Sequence, residues 1–227
     1  LKKKIIHYYI ANGDATIADL CKEMDLSIPT VTKLVGELLE EGYILDFGKQ
    51  ETSGGRKPNI YGLNPESGYF IGVDVRKDSV NIAIVDFKGK FVSIDEDVPY
   101  NLENTPAAFD KLCCLIEDFI ATLKVPREKI LSVGVNITGR VNPISGYSYS
   151  FFYFEEKPLS LIFEERLKIK VYIENDTRAM AYGEYMKGVV KGEKNIIFVN
   201  ISWGLGVGII LDGKLYYGKS GFSGEFG

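Results

Sequence analysis

The 227-residue sequence predicts a mixed α/β protein in two parts: a winged helix-turn-helix over residues 1–64 and an α/β domain over residues 65–227. Three observations predict it. A helix that opens on a proline is followed by two strand-like stretches around a glycine-rich basic tip. At Asn64-Pro65-Glu66-Ser67-Gly68 the pattern changes, with the punctuation of a linker. Beyond it, strands come first as a group and then alternate with helices, as an α/β domain requires.

In the first part, residues 2–12 read as a short helix stopped at Asn12-Gly13. Thr16 then precedes a second helix, with Ile17, Leu20, Cys21 and Met24 at helical spacing. Ser27 opens a third, with Pro29 in its first turn, where a missing N–H does little harm. Val31, Leu34, Val35, Leu38 and Leu39 form its apolar face, and Thr30, Thr32 and Lys33 point elsewhere. Three short helices with a tight turn between the last two make a helix-turn-helix. Tyr43–Phe47 and Asn59–Leu63 read as strands of a hairpin wing, tipped by Ser53-Gly54-Gly55-Arg56-Lys57-Pro58. Its glycines let backbone approach a surface closely.

This arrangement points to double-stranded DNA. Ser27, Thr30, Thr32 and Lys33 lie where a recognition helix enters the major groove, and Arg56 and Lys57 suit phosphate or minor-groove contacts. The plainer alternative is a protein-contact module with Arg56 and Lys57 as solvated loop charges. Residues 1–64 carry one acid more than bases, so tight binding is expected only from a dimer on two half-sites.

In the second part, "YFIGVDV" and "VNIAIVDF" read as strands around Arg76-Lys77-Asp78-Ser79, with a third strand at Phe91–Val98. A helix over Pro106–Leu123 buries Phe109, Leu112, Cys113, Ile116, Phe119, Ile120 and Leu123 on one face. Cys113 is therefore read as core. Strands follow at 130–137, 171–173, 195–201 and 207–213, with helices at 158–168 and 176–190. Ligands of such sheets bind off the carboxyl ends of strands. Asp74, Gly139-Arg140 and Glu174-Asn175-Asp176 lie at such ends.

Bulk properties exclude other classes. The apolar fraction, 45%, is that of a globular protein. No apolar run approaches the roughly 18 residues of a membrane span, and no signal peptide is seen. One histidine and three unspaced cysteines leave no metal-ligand cluster, so no metal or cofactor is expected in this chain. A reducing cytoplasm is the expected location. The net charge of −4 carries no global sign of nucleic-acid binding, which needs only a local basic patch. The start without Met, and an end inside a glycine-rich run, suggest part of a larger protein.

Four segments then matter together: "IGVDVRKDSVNIAIVDFKG", "VGVNITGRVNPISG", "VYIENDTRAMAYGE" and "GLGVGIILDGKLYYGKSGFSGEFG". In that order, behind a winged helix, they resemble the ROK family of bacterial sugar kinases and sugar-responsive transcription factors. The resemblance implies an actin-like ATPase (RNase H-like) fold of two lobes with a ligand cleft between them, the second lobe cut short here. It places Asp176 where the kinases carry their general base, Asn175 as a neighbouring sugar ligand, Gly139 and Arg140 in the sugar loop, and Glu225 in the GExGH element. The histidine of that element, and the cysteines that bind structural zinc in many members, would lie past Gly227.

One departure decides the functional expectation. Kinases of the family carry Asp-x-Gly-Gly-Thr in the first hairpin, where small residues let backbone N–H groups approach phosphate. This chain has Asp74-Val75-Arg76-Lys77-Asp78, and its second loop, Ser202-Trp203-Gly204-Leu205-Gly206, is also bulkier. Phosphoryl transfer rests on positioning and charge stabilisation. The expectation is therefore a non-enzymatic, sugar-responsive repressor, a homodimer or homotetramer with operator DNA and a sugar as partners. The alternative is an ATP-dependent sugar kinase with an appended DNA-binding domain. Asp176 is read as a sugar-hydroxyl acceptor that also caps its helix; on residue type alone, a cap is the simpler reading.

Overall fold

The computed structural model describes residues 1–49, 58–202 and 204–225. The chain forms two compact units: Leu1–Tyr69 with Val85–Phe91, and Phe70–Ile84 with Val92–Gly227.

The first unit runs α1 (Lys2–Asn12), β1 (Ala15–Thr16), α2 (Ile17–Met24), α3 (Ile28–Glu40), β2 (Ile44–Lys49) and β3 (Asn59–Leu63). Its core gathers one apolar stripe from each helix: Ile5 and Tyr9, Leu20, and Val31, Val35 and Leu38, closed by Ile44 and Leu63 of the wing. The α2 start is a reciprocal cap. Thr16 Oγ1 accepts from Asp19 N at 3.2 Å, and Asp19 Oδ2 accepts from Thr16 N at 3.0 Å. Ser27 holds the N-cap position of α3 without capping it; its Oγ shares a hydrogen bond of 2.8 Å with Thr30 Oγ1. The wing strands pair antiparallel, and β1 adds to β3 through Ala15↔Tyr61 and Thr16↔Ile60. Arg56 and Lys57 lie outside the described residues.

The turn Val85–Phe91 completes this unit. Phe87 N donates to Pro65 O at 3.1 Å, and its ring lies 6.0 Å from that of Tyr43. Lys88 Nζ pairs with Asp14 Oδ1 at 3.1 Å and stands 4.7 Å from the Phe47 ring centre.

Apart from Tyr69 and Val85–Phe91, which belong to the first unit, the second unit contains β4 (Tyr69–Val75), β5 (Ser79–Asp86), β6 (Phe91–Pro99), α4 (Pro106–Thr122), β7 (Ile130–Ile137), β8 (Val141–Asn142), β9 (Tyr147–Ser148), α5 (Leu159–Leu167), β10 (Val171–Asn175), α6 (Asp176–Lys187), β11 (Ile196–Ile201), β12 (Leu205–Leu211) and β13 (Lys214–Leu215). A five-stranded sheet has the order β10-β7-β4-β5-β6. Alternate residues of β4, β5, β7 and β10 are buried, Ile71, Val80, Val133 and Val171 among them. From α4, Phe109, Leu112, Cys113 and Ile116 are buried, and burial pushes the Cys113 thiol up to about 12. A second sheet has the order β11-β12-β13, with α6 packed on it.

One register positions the site. β7 and β10 are parallel and end level, with Asn175 opposite Ile137. The chain therefore leaves both strands at the same sheet edge, Thr138–Arg140 beside Asp176. The strand expected at 171–173 runs on to Asn175 because this pairing satisfies the backbone of Glu174 and Asn175.

Thr16→Ala is expected to destabilise the first unit by about 1 kcal/mol, the usual value of an N-cap. Its hydrogen bonds hold the Asp19 carboxyl below the usual carboxylate range. A depressed pKa contributes stability above the ordinary value that is lost as pH falls. The gap between wild type and variant, read by thermal melts, should therefore narrow below about pH 4.

Candidate functional site

At the shared edge of β7 and β10, Asn175 is the N-cap of α6. Its Oδ1 accepts from Arg178 N at 3.0 Å, and its Nδ2 donates to Gly139 O at 3.0 Å. It is 4% exposed. Both ends of its amide are committed inside the protein, so Asn175 shapes the site. The cap expected of Asp176 belongs instead to Asn175, because the helix already begins at Asp176, directly after the last strand residue. Asp176 occupies the first helical position. Its Oδ1 accepts from Thr177 N at 2.6 Å, and no described group donates to its second oxygen. A carboxylate here is favoured by the positive end of the helix dipole.

Gly139 lies at φ 85°, and a Cβ there would run into the Ser150 side chain. That conformation turns the loop so that Arg140 N meets Ser150 Oγ at 2.9 Å, leaving the Arg140 side chain exposed. Glu225 arrives on the segment 218–225. Gly224 lies at φ 89°, where a Cβ would clash with Val207 O; its carbonyl accepts from Val207 N at 3.0 Å, and Glu225 bridges to Gly206. Glu225 keeps a solvent-facing side. Desolvation of the rest raises its carboxyl above the usual range, Arg178 and Arg140 oppose this, and Asp176 reinforces it. Arg140, Asp176 and Glu225 thus converge electrostatically: a cation and two carboxylates, suited to hydrogen bonding with hydroxyl groups.

Sequence reasoning missed the residue at the centre. Arg178 is 1% exposed. Its Nε donates to Glu174 Oε1 at 2.8 Å, Nη1 to Gly221 O at 2.9 Å and Nη2 to Val141 O at 2.7 Å. Its guanidinium carbon also lies 5.6 Å from the Tyr217 ring centre. The available signal was Glu174 four residues before Arg178, across the strand–helix junction. A separate cleft of about 750 Å³, lined by Tyr182, Lys214 and Tyr217 among others, contains none of Arg140, Asp176 and Glu225.

The first hairpin shows what replaced the glycines. Arg76 Nε donates to Asp74 Oδ2 at 3.0 Å, and its Nη1 lies 3.5 Å from Asp97 Oδ1. Asp74 is held by a side chain of its own turn. Trp203 of the second loop lies outside the described residues. Among the described residues, no cluster of His, Cys, Asp and Glu could hold a metal, and no helix is long and apolar enough to cross a membrane.

In the first unit, Ser27, Thr30, Thr32 and Lys33 all lie on the exposed side of α3. Lys33 Nζ is 4.0 Å from Glu37 Oε1 with its side chain 79% exposed, so it remains available to a phosphate. Ile28, 64% exposed at the start of α3, is an apolar side chain that periodicity did not single out.

Asn175→Ala is expected to cost roughly 2 kcal/mol, combining a lost cap with a lost buried hydrogen bond. Thermal melts would check it. Glu225→Gln should act in the opposite direction. A raised carboxyl pKa means stability is lost as pH rises through it, so the variant should melt higher than wild type at neutral pH. The two should converge in acid.

Residues 70–227 match the ROK family, and residues 1–44 match the winged helix-turn-helix DNA-binding family. The xylose repressor of Bacillus subtilis (strain 168) is 30% identical over 227 residues, all of this chain and 59% of that protein. A solved ROK family transcriptional regulator, a homologue of the E. coli MLC protein, superposes over 98% of this chain and 57% of its own. Its TM-score is 0.76, at 23% identity. A ROK family glucokinase from Streptomyces griseus, solved with glucose and AMPPNP, matches 70% of this chain and 50% of its own, with TM-score 0.58 and 28% identity. The chain spans little more than half the length of these relatives and, by the match over 70–227, belongs to the ROK family.

Proposed function

We propose that this chain forms the operator-binding and effector-binding parts of a sugar-responsive transcriptional repressor. The observation that carries the reading is the joining, in one chain, of a winged helix with an exposed polar α3 face to a ROK unit that gathers Arg140, Asp176 and Glu225. Arg140 donates to sugar oxygens, Asp176 and Glu225 accept from hydroxyls, and Gly139 and Asn175 hold the loop that presents them. Thr30, Thr32 and Lys33, with Arg56 and Lys57 of the wing, contact the duplex, and paired copies read two half-sites. Sugar binding changes operator affinity because one arrangement of the paired copies binds sugar better. Such coupling is typically about 1–3 kcal/mol. The xylose repressor relationship makes D-xylose the first sugar to test.

The kinase reading is favoured by Asp176 and opposed by the Arg76–Asp74 pair, which stands at the first hairpin where the family's kinases carry small residues. A coupled ATP assay across a sugar panel separates the two. No turnover is expected; turnover that disappears in Asp176→Asn would establish the kinase instead.

For DNA, Lys33→Ala and Arg56→Ala should each weaken binding to the protein's own promoter region in gel shifts. A lost base contact costs about 1–3 kcal/mol. A lost phosphate contact instead lowers the slope of log affinity against log salt by about 0.9. If both variants bind like wild type, this assignment of the interface fails.

A further inference from the structure

Arg178 carries more than a structural ion pair. Its guanidinium is a planar fork with donors in fixed directions, and it uses them on three chain segments far apart in sequence. Glu174 lies at the end of β10, next to the Asn175–Asp176 junction. Val141 is the residue after Arg140. Gly221 begins the four-residue approach to Glu225. Each segment therefore delivers one of the site's charged groups. The other ties are narrower: Asn142 Nδ2 reaches Ser220 O at 3.3 Å, and Asn175 reaches Gly139 O. Among the described residues, no other side chain donates to both loops. Nor does Arg178 face the ligand, being 1% exposed.

We propose that Arg178 is a positioning residue of the effector site: its guanidinium holds the Arg140 loop and the Glu225 loop in register with Asp176 and so sets sugar affinity. The link to sugar rests on the effector-site reading above; the clamp itself does not. Lysine in its place keeps the charge but offers a single ammonium, which cannot span three acceptors in the directions of the fork. Methionine keeps much of the volume and none of the donors, and leaves Glu174 in need of neutralisation, which Glu174→Gln supplies.

The test is hydrogen exchange by mass spectrometry on the full-length protein without sugar, comparing wild type, Arg178→Lys, Arg178→Met and Arg178→Met/Glu174→Gln. Amides of 139–142 and 218–225 should exchange together at least tenfold faster in both Met variants, with Lys between. Those of β7 and β4 should hold their wild-type rates. Unchanged loops, or loosening spread equally over the sheet, would overturn the clamp. Calorimetric titration with D-xylose and D-glucose then reads the consequence. Affinity should fall at least tenfold in the double variant and recover in part with Lys, while sugar-free operator binding stays at the wild-type level. Loosened loops with unchanged sugar affinity would overturn the positioning role. If wild type binds neither sugar, the choice of effector fails, and the exchange rates still decide the clamp.

Discussion

A guanidinium taken almost entirely out of water is the constraint on which the rest of the candidate site depends. A buried charge is tolerated only when paired and hydrogen-bonded. Arg178 meets both conditions, with one carboxylate and two carbonyl oxygens. Glu174 is held in turn by Asn175 N at 2.8 Å; desolvation, reinforced by Glu174, pushes the Tyr217 phenol up to about 12. Removing one member of such a group typically costs about 3–5 kcal/mol, because the other is left buried and unpaired. The loops after β7 and before Glu225 are thus ordered together with the start of α6. A ligand meeting such a site finds its groups already placed, which lowers the ordering cost of binding.

The carboxylates suited to hydroxyl groups remain, at Asp176 and Glu225. In the first hairpin, a half-exposed Arg76 pairs with Asp74, whereas a phosphate cradle needs small residues and free backbone N–H groups. A site that binds without turning over acts only through its equilibrium, and it can bias a DNA-binding partner only through differential affinity for two states. Glu225 is held partly desolvated at some expense to stability, a perturbation often found in binding sites.

Much of the fold was legible because the long elements carry strong periods. The faces of α2, α3 and α4 and the alternating strands β4, β5 and β7 follow directly from apolar spacing. The pairs β1, β8, β9 and β13 were not legible, since two residues carry no period and exist as strands only through their partners. The cap of α6 was assigned one residue late. Asn175 and Asp176 are both good caps by type, and only the β7–β10 register decides where the strand ends.

The amino-acid order alone determined the two-part organisation, the family motifs and the altered phosphate hairpin, because these depend on local spacing and residue type. The tertiary structure decided which polar groups are occupied and which are open. Asn175, read as a ligand, spends its amide on Arg178 N and Gly139 O, while one oxygen of Asp176 receives no described donor. Arg178, in sequence one more charge on a helix of low amphipathicity, became the centre of the site. Its partners Val141 and Gly221 lie 37 and 43 residues away, and a bond between a side chain and distant backbone carbonyls leaves no trace in residue type.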